Sequence, residues 1–117
     1  MDYSIVVPVF NSSKTLPMLI DELNTVMYSI DKEFEIIFVD DCSLDESWQV
    51  LKKLKVGNSH IKIIRLANNV GQWMATLAGI SQTKGKLIIT IDDDLEYDTN
   101  DIKTLIDAYH QRDVYLI

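Results

Sequence analysis

The residues best placed to do chemistry lie in the stretch Leu87–Asp98, LIITIDDDLEYD, where five positions fit for a buried strand are followed by five carboxylates in seven positions. The chain already carries a formal charge of -7 over 117 residues, so so much mutual repulsion at one strand end calls for a partner. Asp92 and Asp94 flank Asp93 as a D-x-D. A hard divalent cation, which takes oxygen ligands at ~2.1 Å, can draw carboxylates from such a turn and keep positions open for a diphosphate. That cation would relieve the repulsion. Asp98 and Asp101 stand beside a predicted helix start, where acids also complement the helix dipole, and a solvated loop is the other reading of the run.

These carboxylates need elements to position them. The runs SIVVPVF, FEIIFVD, IKIIRL and KLIITID are short and rich in β-branched residues, and each precedes a segment of helical spacing, giving four βα units. Leu16, Leu19, Ile20, Leu23 and Met27 predict a first helix over about Thr15 to Ile30, with Pro17 tolerable in its first turn. Ser43 three residues before Glu46 has capping-box spacing, ahead of a second helix with a Trp48, Leu51 and Leu54 stripe. A third helix is expected over about Gln72 to Gln82 with Trp73, Leu77 and Ile80 on its apolar side. A fourth is expected over about Asn100 to Gln111 with Ile102, Leu105, Ile106 and Tyr109. The last five residues, DVYLI, read as the start of a fifth strand, so the chain is expected to be truncated in or just after it.

Near-continuous apolar strands alternating with helices imply an α/β fold with a mainly parallel sheet covered on both faces. Ligands of such sheets bind beyond the carboxyl ends of the strands. Those ends carry Asn11 to Ser13, then Asp40, Asp41 and Ser43, then Asn68, Asn69 and Gly71, then Asp92 to Asp98. In the sheet order 3-2-1-4, strands one and four are neighbours, and Asn11 and Asp92 then face one crevice although 81 positions apart (92 minus 11).

Composition and spacing exclude several classes. Eighteen acids against eleven bases, with no basic patch, argue against nucleic acid and against an anionic membrane surface. No apolar run reaches membrane-spanning length, and MDYSIVVPVF has no basic region ahead of its apolar residues, so neither a span nor a signal peptide is expected. The lone Cys42 permits no internal disulfide and no thiolate metal site, which fits a cytoplasmic setting. The first strand-to-helix turn, VFNSSKT, lacks the glycines of a dinucleotide fingerprint. Gly79 and Gly85 have five residues between them, and Leu87 follows Lys86, so no P-loop forms. An EF-hand beginning at Asp92 fails because Tyr97 and Lys103 stand where it needs Gly and Glu. A phosphoacceptor receiver module would want its acidic pair after strand one, where Phe10 and Asn11 stand.

Taken together and in order, SIVVPVFN (Ser4 to Asn11), FVDDCSLDES (Phe38 to Ser47), NNVGQWMATLAGI (Asn68 to Ile80) and KGKLIITIDDDLEYD (Lys84 to Asp98) resemble the family 2 inverting glycosyltransferases of the three-layer, Rossmann-like GT-A fold. The resemblance covers almost the whole chain. Its third block, G-Q-x-x-A-x-x-A-G, with D-x-D-L-E after it, looks most like the branch that transfers sugars to polyprenyl phosphates. It implies a nucleotide-diphosphate sugar donor, a Mn²⁺ or Mg²⁺ ion, and an acceptor that is a polyprenyl phosphate or a growing polysaccharide. It also implies a full-length protein associated with the cytoplasmic face of a membrane. Pro8, Phe10, Asn11, Asp40, Asp41, Asp92 and Asp93 would bind the nucleotide sugar, with Asp41 accepting a hydrogen bond from the base and Asp40 supporting that turn. Asp92, Asp94 and Glu96 would hold the metal, Glu96 standing where polyprenyl-phosphate enzymes commonly carry Gln.

The residues leave other readings open. Asp40 or Asp41 can instead help cap the second helix, Phe10 can belong to the core, and Ser43 and Asp45 read as capping residues. Phe10 stands where the family usually has Tyr, Ser12 replaces a carboxylate that often contacts the nucleoside, Cys42 replaces a Gly, and Lys86 replaces an Asp. His60 and His110 have no paired spacing and are expected to face solvent. In the family the general base comes from later in the chain, so the catalytic residue is expected beyond Ile117, and residues 1–117 would be the nucleotide-sugar-binding part of the domain. A non-catalytic nucleotide-binding or scaffold domain on the same fold is the alternative.

Overall fold

The computed structural model describes residues 1–94 and 98–112. Glu96 and the predicted fifth strand lie outside the described residues. The elements run β1 (Tyr3–Val9), α1 (Leu16–Tyr28), β2 (Phe34–Asp40), α2 (Ser47–Lys55), β3 (Ile61–Arg65), α3 (Gln72–Ile80), β4 (Leu87–Thr90) and α4 (Asn100–Arg112). The four strands form one parallel sheet, as the alternation of strands and helices predicts, and their order is β3-β2-β1-β4, with β1 and β4 neighbours.

Because successive strand residues point to opposite faces, β1 divides its side chains between two layers. Ile5, Val7 and Val9 join the larger core, which α1 fills with Leu16, Leu19, Ile20 and Leu23, α2 with Leu51, and α4 with Ile102 and Ile106. On the other face Ile37 and Val39 of β2 meet Ala75 of α3. Pro8 is accommodated in this central strand because the carbonyl of Val6 accepts the Ile91 N–H, so even-numbered residues of β1 turn their backbone groups toward β4. By Pro8 that neighbour has ended: the last β1–β4 pair is Val6 with Thr90.

The third helix departs from expectation. Trp73 and Leu77, predicted to face the core, are 73% and 41% exposed, and the sheet is met instead by Ala75 and Gly79. A Cβ built on Gly79 would lie 2.5 Å from Val6 Cγ1 and 2.9 Å from Val39 Cγ2, so the helix backbone rests almost directly on the strands. At that distance the sheet-facing side must be built from small residues, and large apolar side chains are displaced to the flanks. In α4, Leu105 is likewise exposed while Ile102 and Ile106 are buried.

The second helix starts later than the capping-box spacing implies. Its N-terminal flanking residue is Glu46, with no side-chain cap. Ser43 is committed elsewhere: its hydroxyl donates to Asp40 Oδ1 and accepts the Asn11 N–H. Asp45 serves the helix start, its Oδ1 accepting the Ser47 N–H at 2.9 Å and the Ser47 hydroxyl at 2.6 Å.

At the amino ends of the strands lies a separate polar cluster. Glu35, 1% exposed, accepts the Ser4 hydroxyl at 2.5 Å and the Lys84 N–H at 2.6 Å, and its other oxygen is 2.7 Å from Lys62 Nζ. The Ser4 oxygen in turn accepts the Gly85 N–H at 2.8 Å. Burial pushes the Glu35 carboxyl up, but Lys62, the Ser4 hydroxyl and the Lys84 N–H outweigh it and hold it below its ordinary range. His60, expected in solvent, is half-buried, with Nε2 2.7 Å from Asn24 Oδ1 and its ring against Phe34. His110 is exposed as expected, and its Nε2 meets the Tyr3 hydroxyl at 2.5 Å. Among the described residues, no helix is long and apolar enough to cross a membrane.

Candidate functional site

The sheet brings the first, second and fourth turns together at its carboxyl edge. Asn11 adopts a left-handed backbone, φ 53, which Asn tolerates better than most residues. Its side-chain oxygen then accepts the Leu44 N–H at 2.8 Å and, more distantly, the Asp45 N–H at 3.4 Å. The Ser12 N–H donates to Ser47 Oγ at 2.8 Å and the Ser13 N–H to Asp45 Oδ2 at 3.2 Å. Asn11, placed by sequence among the ligand contacts, thus spends its amide oxygen on joining turn one to turn two. Burial raises the Asp45 carboxyl, but its bonds to Ser47 and Ser13 outweigh this and hold it below its ordinary range.

Asp40 and Asp41 are both buried and do different work. Asp40 is fully buried: one oxygen takes the Ser43 hydroxyl and the other, among the described residues, has the ion pair with Arg65 Nε at 3.7 Å and no hydrogen bond. Asp41 reaches toward the third turn: Oδ1 accepts the Val70 N–H at 2.8 Å and Oδ2 the Gly71 N–H at 2.9 Å, while its carbonyl accepts Asn69 Nδ2 at 3.2 Å. Gly71, at φ 93, makes the turn into α3 that aims both N–H groups at this carboxylate.

The fourth turn divides its acids. Asp93 Oδ2 accepts the Phe10 N–H at 3.1 Å and the Ser12 hydroxyl, and the Asp93 carbonyl accepts the Thr15 hydroxyl at 3.0 Å. Asp92, exposed, accepts the side-chain amide of Gln72. Asp94 is exposed beside them. The repulsion within this run is therefore eased by donors from turn one and α3, a role the sequence had assigned to a cation alone.

A cleft of about 270 Å³ opens between these turns, lined among others by Pro8, Phe10, Asp41, Asn69, Gly71 and Asp93. Phe10 is 44% exposed here, which removes the core reading of that residue. A second cleft of about 640 Å³ runs between α3 and α4 past Trp73, Asp92 and Leu105, and Gln72 stands on the boundary of both. The sequence places Asn69 among the polar residues after strand three but gives it no role, and it does not single out Gln72, although both lie in the third block that carried the resemblance.

The donor set bears on the metal. Among the described residues no group of three His, Cys, Asp or Glu side chains could hold an ion. Exposed Asp92, on the second cleft, and exposed Asp94, two residues on, offer hard oxygens, and one or two carboxylates suffice for Mg²⁺ when substrate phosphates complete its shell. The set fits a cation shared with a diphosphate better than one held by protein alone.

A sequence profile described as Glycosyl transferase family 2 matches residues 4–117. The chain belongs to glycosyltransferase family 2. Its fold is the GT-A fold of that family, as solved structures show. S. aureus TarS 1-349 in complex with UDP-GlcNAc superposes with a TM-score of 0.76 at 25% identity, over 97% of this chain and 32% of that one. TarS 1-349 in complex with UDP gives 0.67 at 28% identity, over 94% and 33%. The mannosyltransferase PcManGT from Pyrobaculum calidifontis, in complex with GDP-Man and Mn²⁺, gives 0.64 at 18% identity over 79% and 27%, a likeness of fold alone. This glycosyltransferase domain spans about a third of the length of the TarS 1-349 chains it matches.

Proposed function

We propose that this family 2 domain binds a nucleotide-diphosphate sugar with a Mn²⁺ or Mg²⁺ ion, as the donor-binding part of a transferase that inverts at the anomeric carbon. The observation that carries the reading is the cleft at the carboxyl edge, lined by Asp41, Phe10 and Asp93, which meets at Gln72 a second cleft lined by Asp92. Asp41 already accepts two backbone N–H groups, and each carboxylate oxygen has a second lone pair for an N–H on the edge of a base. Phe10 offers an exposed ring to the base or ribose. TarS, at 25–28% identity, has been seen with UDP-GlcNAc and UDP, which favours a uridine nucleotide here.

Asp92 and Asp94 would hold the cation, together with Glu96 from outside the described residues. When bound, the ion offsets charge on the diphosphate as it leaves. Inversion requires the acceptor oxygen to approach the anomeric carbon opposite the diphosphate, so that one carbon–oxygen bond forms as the other breaks and its electron pair departs with the phosphate. The chain's own residues serve this by gripping base, ribose and diphosphate and by fixing which face of the sugar is open. The third block and D-x-D-L-E favour a polyprenyl-phosphate acceptor over a growing polysaccharide, and hence work at the cytoplasmic face of a membrane. Such an acceptor is already anionic and needs little help from a general base.

Isothermal titration of UDP and GDP with Mn²⁺, and again with EDTA, tests the reading. UDP is expected to bind only with metal, Asp94→Asn to weaken that binding about tenfold or more, and Asp98→Asn, beside the start of α4, to leave it nearly unchanged. Binding that ignores EDTA, or equal losses from both variants, would overturn the site assignment.

A further inference from the structure

We propose that Gln72 is a positioning residue for Asp92: its side-chain amide fixes the orientation of that carboxylate, and so sets how strongly the cation couples to a bound diphosphate. The inference rests on reading the cleft as a nucleotide and cation site.

Gln72 is held from both directions. Ahead of it, Asp41 takes the Val70 and Gly71 N–H groups at 2.8 and 2.9 Å, fixing the backbone that enters α3. Behind it, Ala75 is fully buried and Gly79 sits so close to Val6 and Val39 that no Cβ fits, which fixes the depth of the helix on the sheet. From that fixed start the side chain bonds Asp92 Oδ1 across the boundary of the two clefts.

The chemistry of an amide suits this task. A carboxylate has about four lone-pair directions, and one N–H donor uses one of them. Oδ2 of Asp92 is left for the cation. A neutral donor orients the carboxylate without cancelling its charge, whereas Lys or Arg at position 72 would compete with the ion. Partners that orient metal ligands from behind commonly change metal affinity by about 10–100-fold when removed.

The test compares wild type with Gln72→Met, which keeps length and removes the donor, with Asp92→Asn, and with the double variant. Three quantities are read: UDP affinity in saturating Mn²⁺ by titration calorimetry, affinity for uridine, which has no phosphate, by NMR, and the melting temperature. Gln72→Met is expected to weaken UDP about tenfold while leaving uridine affinity and melting unchanged. The double variant should bind UDP no more weakly than Asp92→Asn alone, because Gln72 acts through Asp92. Unchanged UDP affinity, an equal loss of uridine affinity, or additive losses in the double variant would overturn the proposal. A wild type that shows no metal-dependent UDP binding refutes the reading of the site, and this inference with it. A wild type that binds and a Gln72→Met variant that binds equally well refutes this inference alone.

Discussion

The carboxylate of Asp93 accepts the backbone N–H of Phe10 at 3.1 Å across 83 positions of sequence. It is possible because β1 and β4 are paired neighbours whose following turns leave the sheet side by side. With the Ser12 hydroxyl on the same oxygen, the middle acid of the D-x-D serves as a brace between turns.

Asp93→Ala is therefore expected to lower unfolding free energy by about 1–2 kcal/mol, the usual loss when hydrogen-bond donors are left without their acceptor. Asp94→Asn, on an exposed side chain, should stay within about 0.5 kcal/mol of wild type. Urea denaturation of both separates brace from ligand, and equal losses would contradict the division.

Gly79→Ala should destabilise despite the better helix propensity of alanine. The propensity gain is about 1 kcal/mol, whereas overpacking typically costs about 1–3 kcal/mol, and here the new methyl meets Val6 and Val39 at 2.5 and 2.9 Å. Gly85→Ala should cost more, since its Cβ would meet the Ser4 backbone nitrogen at 2.5 Å and no rotamer change relieves that. A stabilised Gly79→Ala protein in denaturant titration would mean that α3 sits farther from the sheet.

Much of this arrangement is legible in the sequence. Hydrophobic runs and helical spacing mark four βα units and a parallel sheet, and the order β3-β2-β1-β4 is the one in which turns one and four lie side by side. What misleads is size. Trp73 and Leu77 carry the strongest apolar signal in α3, yet a helix lying this close to strands can face them only with Ala75 and Gly79, and the small-residue spacing of the third block was the sign of it. Ser43 misleads for another reason: its spacing to Glu46 suggests a cap, while Asp40, three residues back, and Asn11, thirty-two residues away, claim its hydroxyl. Gln72 was missed because its partner, Asp92, lies twenty residues away in the turn after β4.

Acid should unfold the domain in two stages. Burial holds the His60 imidazole below its ordinary value, so the unfolded chain takes up its proton first and stability falls as pH drops below about 6.5. The Glu35 carboxyl is held below its ordinary value in the fold, so its contribution is whole above about pH 4.5 and is lost as pH falls through the folded value. Urea midpoints between pH 8 and pH 3 (roughly the window set by these groups) should fall in both ranges. His60→Gln should remove the upper decline and leave the lower one; a wild-type midpoint flat down to pH 5 would contradict the burial of His60.

Cys42→Gly is expected to raise the melting temperature slightly and leave nucleotide binding intact. Cys42 sits at φ 59, where a side chain costs about 1–2 kcal/mol relative to glycine, and its thiol makes only a distant 3.7 Å contact with the Ala67 carbonyl. Differential scanning calorimetry reads the effect, and a lowered melting temperature would mean the thiol matters more than the backbone.

The cluster of Glu35, Ser4, Lys62 and Gly85 ties the amino ends of the four strands without touching any residue assigned to the clefts. The domain thus has one rim that secures the architecture and another that carries the proposed ligand clefts. Substitutions at the second rim can therefore be made while the first keeps the sheet assembled. The same separation gives an experimenter a safe place for a fluorophore or an inserted peptide: the Gly57 turn, on the quiet rim, where a reporter follows the protein without blocking what it binds.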